Sequence, residues 1–295
     1  MNSITSDTMI SGHTTLLCLL GHPVAHSISP RMHTLAAQKL GLDYAYLAFD
    51  ITEDQTQDAV AALKLMRCRG FNLTMPLKRS ILPYVDRLSE ASQLAGAVNT
   101  VINDDGVLTG HTTDGIGFMD ALHDKGCETR GTHMTILGAG GVATPMIAQA
   151  ALDGVKKISI FKRKNATYAD TQAFAKRISD GTSCEVSVHD MADTDDLARQ
   201  IADSQILANA TNVGMGDDTA SLVPISMLHQ HLIVFDAIYH PLETTLLRDA
   251  KAVGATAING EGQLLFQGAA SFYLWTGRKM PIDYIKETCF PNLLA

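Results

Sequence analysis

The chain has 295 residues, of which 46% are hydrophobic and 18% charged, and its net charge is −8. That is enough apolar sequence for two domains with cores of their own, and it excludes a disordered or fibrous chain. The acidic balance leaves no broad cationic face for nucleic acid or an anionic membrane.

Residues 1–14 are polar and are expected to fray. From there short apolar runs alternate with helical periodicity, the pattern of α/β folds. Strands are expected at Thr15–Leu20, Tyr44–Phe49, Gly70–Leu73, Thr100–Asn103 and Val107–Thr109, and helices at Pro30–Leu40, Asp54–Arg67, Lys78–Val85 and Ser89–Ala95. Asn103-Asp104-Asp105-Gly106 reads as a hairpin turn. Five further strands follow near 134–137, 157–161, 184–188, 205–210 and 232–236, with helices between them. Ala255–Ile258 is a last strand before a helix from Gln263 to Trp275. A domain boundary is expected near Asp114, with the final helices folding back on the first domain. The active site is expected in a cleft between the domains, at the carboxyl ends of the strands.

Cys18, Cys68, Cys127, Cys184 and Cys289 are scattered, odd in number and without a C-x-x-C pair. That argues against a disulfide framework or zinc site and for a reducing cytoplasm. No H-E-x-x-H occurs, and no metal is expected. No Lys or Arg precedes Arg31 and no 18-residue apolar run follows, so neither a targeting segment nor a membrane span is expected.

Leu137-Gly138-Ala139-Gly140-Gly141-Val142-Ala143 lies between an apolar strand and an apolar helix. Glycines there let the backbone turn sharply and approach a pyrophosphate, which the amides of the helix N-terminus then meet. The spacing G-x-G-G-x-A is a variant of the dinucleotide fingerprint. The next strand ends in Lys162-Arg163-Lys164, and no acidic residue occurs between Asp153 and Asp170. Taken alone, the triplet is as consistent with a solvated charge cluster. Coupled to the glycine loop, it favours NADP over NAD, with Arg163 on the 2′-phosphate.

Four segments of the first half carry polar residues that packing does not require. In His26-Ser27-Ile28-Ser29-Pro30, Ser29 suits a helix N-cap, while Ser27 is unexplained and makes the pair a donor-rich seat for a carboxylate. In Asn72-Leu73-Thr74-Met75-Pro76-Leu77-Lys78, the lysine opposes the dipole of the helix it opens. Ala95-Gly96-Ala97-Val98-Asn99-Thr100 and His111-Thr112-Thr113-Asp114-Gly115 complete the set. Asn99 reads equally as a turn residue and Asp114 as an N-cap.

In this order ahead of the glycine loop, the segments resemble the shikimate dehydrogenase family, from about Leu19 through Trp275. The likeness extends to Ala210-Thr211-Asn212-Val213-Gly214-Met215, Asp236-Ala237-Ile238-Tyr239 and the run from Gly260 to Ala269. The resemblance implies reversible hydride transfer between NADP and the C3 alcohol of shikimate, in the cytoplasm. It implies an α/β architecture in which 1–113 plus 264–295 form a substrate-binding domain with a mainly parallel sheet, and 114–263 a Rossmann domain. Carried over by position, Ser27 and Ser29 hold the substrate carboxylate. Thr74, Asn99, Asp114 and Gln267 hold ring hydroxyls, with Tyr239 nearby. Lys78 is the catalytic lysine and Asp114 its partner. The coenzyme falls to Gly138, Ala139, Gly140, Gly141, Val142 and Ala143, to Lys162, Arg163 and Lys164, and to Ile238 and Gly260. Three positions depart from the family pattern: Thr112 in place of Asn, Gln263 in place of Met and Lys162 in place of Asn. Gln263 stands one turn before Gln267, where it is expected to add a polar contact near the ring. The resemblance also admits a quinate/shikimate dehydrogenase using NAD or NADP, and more remotely a regulator that senses quinate or nucleotide without catalysis. A homodimer is compatible with it.

Overall fold

The computed structural model describes residues 10–294, and two compact units share the chain. One takes the chain up to Ser92, Gly96–Thr113 and everything from Gly268. The other takes Gln93–Ala95 and Asp114–Gln267.

The first unit opens with β1 (Thr15–Gly21), α1 (Ser29–Lys39), β2 (Tyr44–Asp50), α2 (Thr56–Leu65) and β3 (Gly70–Leu73). Then come α3 (Leu77–Ser80), β4 (Arg87–Leu88), α4 (Glu90–Ala95, whose last three residues count with the second unit), β5 (Thr100–Asp104) and β6 (Val107–His111). Its six strands lie in the order β2-β1-β3-β5-β6-β4. Pairings of β1 with β2 and β3, and of β4 with β6, are parallel, but β5 runs antiparallel to both β3 and β6. The sheet is therefore mixed, because the β5–β6 hairpin returns at once instead of crossing over. Its turn suits the sequence: Asp105 and Gly106 both take positive φ (51° and 93°), and Asn103 Oδ1 accepts from the Gly106 amide at 2.7 Å.

β1 is apolar without alternation because both its faces are covered. Cys18 and Leu20 enter a core with Val60, Leu63, Phe71 and Val101, while Leu17 and Leu19 enter another with Tyr46 and Trp275.

The second unit continues with α5 (Asp114–Asp124), β7 (His133–Leu137), α6 (Ala143–Leu152), β8 (Lys157–Lys162), α7 (Tyr168–Gly181), β9 (Glu185–Asp190) and α8 (Thr194–Asp203). It ends with β10 (Ile206–Asn209), β11 (Ile233–Asp236), α9 (Thr245–Ala252), β12 (Thr256–Ile258) and the first part of α10 (Glu261–Thr276). The sheet order is β12-β11-β10-β7-β8-β9 and every pairing is parallel. Strand order reverses between β7 and β10, the point at which open α/β sheets receive ligands. Here too both faces are buried: Ile136, Ile158, Ile160 and Ala208 point into one core and Leu137, Phe161, Leu207 and Val234 into the other.

Back in the first unit, the C-terminal helix α11 (Ile282–Cys289) packs on α1. Arg31 donates to the Thr288 carbonyl at 2.9 Å, and the Lys39 ammonium lies 4.8 Å from the centre of the Tyr284 ring.

Two expectations need correction here. The single helix expected over Lys78–Val85 is a one-turn α3 followed by a 3₁₀ turn at Leu82–Tyr84, since Pro83 lacks a donor and disfavours the helical conformation before it. The two-residue β4 has no sequence signal. Residues 11–14 are not frayed: the Ser11 amide donates to Thr14 Oγ1 (2.9 Å), and that hydroxyl donates to Asp43 (2.6 Å). The expectation for residues 1–9 lies outside the described residues.

His33 is the anomaly of the first core. It is 1% exposed, stacks on Tyr46 at 4.5 Å and tilts against Trp275 at 5.3 Å, and neither ring nitrogen has a hydrogen-bond partner among the described residues. Burial lowers its pKa from 6.5 to about 3. Because the folded value lies below the unfolded one, the unfolded chain binds the extra proton first. Stability is thus lost as pH falls from about 6.5 towards 3, by up to ~1.4 kcal/mol per unit. His33→Phe is expected to flatten the decline of the urea midpoint between roughly pH 6 and 4 relative to the parent chain.

Candidate active site

In the first unit one end of the sheet gathers the polar segments. β1 and β3 end there at Gly21 and Leu73, and the antiparallel β5 begins there, with Asn72 paired to Thr100 and Thr100 to His111. The turns that leave these strands carry Ser27, Thr74, Lys78, Asn99, Thr112 and Thr113. They are laced together: the Thr74 amide bonds the Leu20 carbonyl (2.9 Å), the Lys78 carbonyl accepts from Val98 (2.8 Å), and the Leu73 amide bonds the Asn99 carbonyl (2.8 Å). Gly21 lies tight against Thr74: a Cβ there would stand 2.2 Å from Thr74 Cγ2 and 3.0 Å from the Met75 carbonyl oxygen.

Ser29 is not the N-cap of α1. It is the first helical residue, with Ile28 before it, and its amide donates to Ser27 Oγ at 3.2 Å. The hydroxyl that had no structural explanation thus satisfies the helix start, and its own proton is left to donate. Ser29 is 7% exposed; Lys78 and Thr74 are half-buried.

Beneath this edge runs a buried hydrogen-bond network that sequence reasoning missed. Asn72 Nδ2 reaches the Asn99 carbonyl (3.0 Å), Thr100 Oγ1 (2.9 Å) and Ser271 Oγ (3.2 Å), while its Oδ1 accepts from Tyr46 at 2.7 Å. Asn99 clasps Thr113, donating to its hydroxyl (3.0 Å) and accepting from its amide (2.7 Å). Burial raises the Tyr46 phenol well above its ordinary range, opposed by a hydrogen bond from Ser29. The available signal was a polar residue in an apolar element, Asn72 in β3 and Ser271 in α10. Thr112, one of the departures, is 2% exposed, and its hydroxyl finds no partner among the described residues.

In the second unit, Gly138 follows β7 with φ +102°, and its amide bonds the Phe161 carbonyl at 2.8 Å. Gly140 and Gly141 are exposed, and a Cβ on either would meet nothing within 4 Å. Ala139 and Val142 border this open surface, and Ala143 begins α6 in the core. Among the described residues no side chain caps α6, so the start of the helix is open to an anion. These residues fit a pyrophosphate.

At the end of β8, Lys162 donates to Asn165 Oδ1 (2.9 Å) and Thr167 Oγ1 (2.7 Å), and Lys164 lies 3.4 Å from Asp190. Arg163 is exposed and makes no hydrogen bond or ion pair among the described residues.

Ile238 and Gly260 are joined by a second missed network. Asp236, fully buried at the end of β11, accepts from the Ile238 amide (3.1 Å), Asn209 (3.0 Å) and Thr244 (2.7 Å). Burial still pushes its carboxyl above the usual range. The Gly260 amide bonds the Ile238 carbonyl at 3.0 Å. Tyr239, next along the loop, is 46% exposed.

Asp114 opens α5, and Gln263 Nε2 donates to its carbonyl at 3.1 Å, so that departure braces a main chain. Gln267 bonds the Leu264 carbonyl at 3.0 Å on its own helix. His22 and His26 stand four apart, but both lie in the loop before α1, and His22 bonds Asp50 at 2.5 Å. Among the described residues, no three His, Cys, Asp or Glu side chains cluster to hold a metal, and no helix is long and apolar enough to cross a membrane.

A parallel sheet in this order, with a glycine turn opening onto the start of a helix, defines a dinucleotide-binding α/β protein. Residues 19–101 match the family description "Shikimate dehydrogenase substrate binding domain", and 260–290 match "Shikimate 5'-dehydrogenase C-terminal domain". The "Shikimate dehydrogenase (NADP(+))" of Listeria innocua is 49% identical over 283 residues, covering 95% of this chain and 97% of that one. A crystal structure of shikimate 5-dehydrogenase from Listeria monocytogenes, in complex with shikimate and NAD, superposes with a TM-score of 0.93 at 48% identity, covering 98% and 100%. The ligand-free 5-ketofructose reductase of a Gluconobacter strain gives 0.85 at 30% identity, covering 96% and 100%. The chain belongs to the shikimate dehydrogenase family.

Gly260 is sterically obligatory: a Cβ there would lie 2.3 Å from the Ala237 carbonyl oxygen, and backbone cannot swing aside. Gly260→Ala is expected to lower stability by ~1–3 kcal/mol and to weaken dinucleotide binding, read by thermal melting with and without coenzyme.

Proposed function

We propose that the chain is an NADP-dependent shikimate dehydrogenase, interconverting 3-dehydroshikimate and shikimate. The observation that carries this reading is the 49% identity to a shikimate dehydrogenase over nearly the full length of both chains. It is supported by the presence, at one edge of the first sheet, of the hydroxyl, amide and lysine side chains the chemistry needs.

In this reading Ser27 and Ser29 take the substrate carboxylate. Two neutral hydroxyls at a helix start bind an anion without burying a counter-charge, whose desolvation would be costly. Thr74, Asn99, Asp114 and Gln267 hold ring hydroxyls, and Tyr239 stands at the loop braced by Asp236. Gly138 to Ala143 take the pyrophosphate, Ile238 and Gly260 border the nicotinamide, and Arg163 takes the 2′-phosphate. Lys162 and Lys164, already engaged with their neighbours, are secondary there.

NADP, when bound, supplies or takes the hydride. This chain's own side chains move the proton. In the reducing direction the Lys78 ammonium gives it to the oxygen of the former ketone, and in oxidation the amine takes it back, with Asp114 orienting the group. All five thiols are free and four are buried, as suits a reducing cytoplasm, where we place the enzyme.

A steady-state assay of shikimate and quinate, each with NADP and NAD, tests the assignment. Shikimate with NADP is expected to give the highest kcat/KM, and a preference for quinate would overturn it. Lys78→Ala is expected to lower kcat by roughly 10²–10⁴-fold while shikimate KM changes only a few-fold. Arg163→Ala is expected to weaken NADP about tenfold and to leave NAD nearly unaffected, as read by KM for each coenzyme.

A further inference from the structure

The three cations at the end of β8 are not equivalent. β8 and β9 run parallel, with Lys162 opposite Asp190, and the Met191 amide bonds the Lys162 carbonyl at 3.0 Å. Asp190 therefore sits beside the point where the basic triplet leaves the sheet. Its Oδ1 accepts from the Ala192 amide (3.1 Å) and its Oδ2 lies 3.4 Å from Lys164 Nζ. The Ala192 amide first, and Lys164 after it, hold the carboxyl below its ordinary range, so it is ionised at neutral pH. Lys162 is consumed differently, its ammonium spanning Asn165 and Thr167 and closing the turn that presents Arg163.

We propose that Asp190 sets the coenzyme selectivity of this chain: by pairing with Lys164 it withholds a second cation from the adenosine 2′-phosphate and leaves recognition to Arg163. The proposal rests on the reading of Arg163 given above. An adenosine 2′-phosphate carries close to two negative charges and binds better to two cations than to one. Lys164 is one residue from Arg163, and its ammonium is well exposed on a flexible stem. Among the described residues it is kept back by a neighbour of opposite sign. An exposed ion pair of this kind is weak, worth at most a factor of about five in an equilibrium, so the restraint is graded and tunes the preference for NADP over NAD.

The test uses the full chain and two mononucleotides as probes, 2′,5′-ADP and 5′-AMP, titrated calorimetrically. Asp190→Asn is expected to tighten 2′,5′-ADP about three- to fivefold (up to about 1 kcal/mol) and to change 5′-AMP far less. Lys164→Gln is expected to abolish that gain when combined with Asp190→Asn. In steady-state assays the ratio of kcat/KM for NADP to that for NAD should rise in Asp190→Asn by the same factor. Absence of any gain overturns the proposal. So does a gain that persists in the double variant, because Asp190 then acts as a bare repelling charge. If Arg163→Ala weakens both mononucleotides equally, the phosphate seat itself is lost and the proposal falls with it, an outcome separable from the other two.

Discussion

A buried amide bonded at both ends organises the first unit. Asn72 is buried in the middle of a six-stranded sheet, and its position there is tolerable because both ends of its amide are bonded, Oδ1 by Tyr46 on β2 and Nδ2 to the Asn99 carbonyl, Thr100 on β5 and Ser271 on α10. A carbonyl accepts and cannot donate, so the bond to Asn99 fixes which end of the amide faces which partner, and the Tyr46 proton must then point at Oδ1. One orientation satisfies every member. The Asn99 main chain, the Thr113 turn and the helix start at Ser29 are registered against one another by this single constraint.

The second unit solves the same problem with a charge. Asp236 is sunk at the carboxyl end of β11, where three donors converge on it, and one of them is the amide of Ile238. Burial works against its ionisation, so those bonds offset a desolvation penalty more than they add stability. What they secure is the course of the loop through Ala237 to Tyr239, which Gly260 meets at close range from the other side. In both units a polar residue inside an apolar strand, costly by itself, specifies where the adjoining loop must go.

Much of this was legible in the sequence, and the reason lies in how local each feature is. Strands covered on both faces read as unbroken apolar runs, so β1, β3, β7 and β8 were found within a residue or two. The Asp105-Gly106 turn and the glycine loop after β7 follow from backbone geometry within a few residues. The parts that were not legible depend on partners distant in sequence. Nothing in Gly70-Phe71-Asn72-Leu73 says that Ser271 waits 199 positions away, or that Ser27 rather than Ser29 satisfies the start of α1. The basic triplet looked like one patch because composition cannot distinguish a lysine tied to its neighbours from an arginine left to solvent.

Four thiols are locked in the cores and one, Cys289, is only partly covered. That inequality makes the chain a self-contained spectroscopic platform: an electrophilic dye meets a single addressable sulfur in the native fold. The residue before it, Thr288, accepts through its carbonyl from Arg31, two places beyond Ser29. A fluorophore attached at Cys289 would therefore report on the packing of α11 against α1 in unmutated protein.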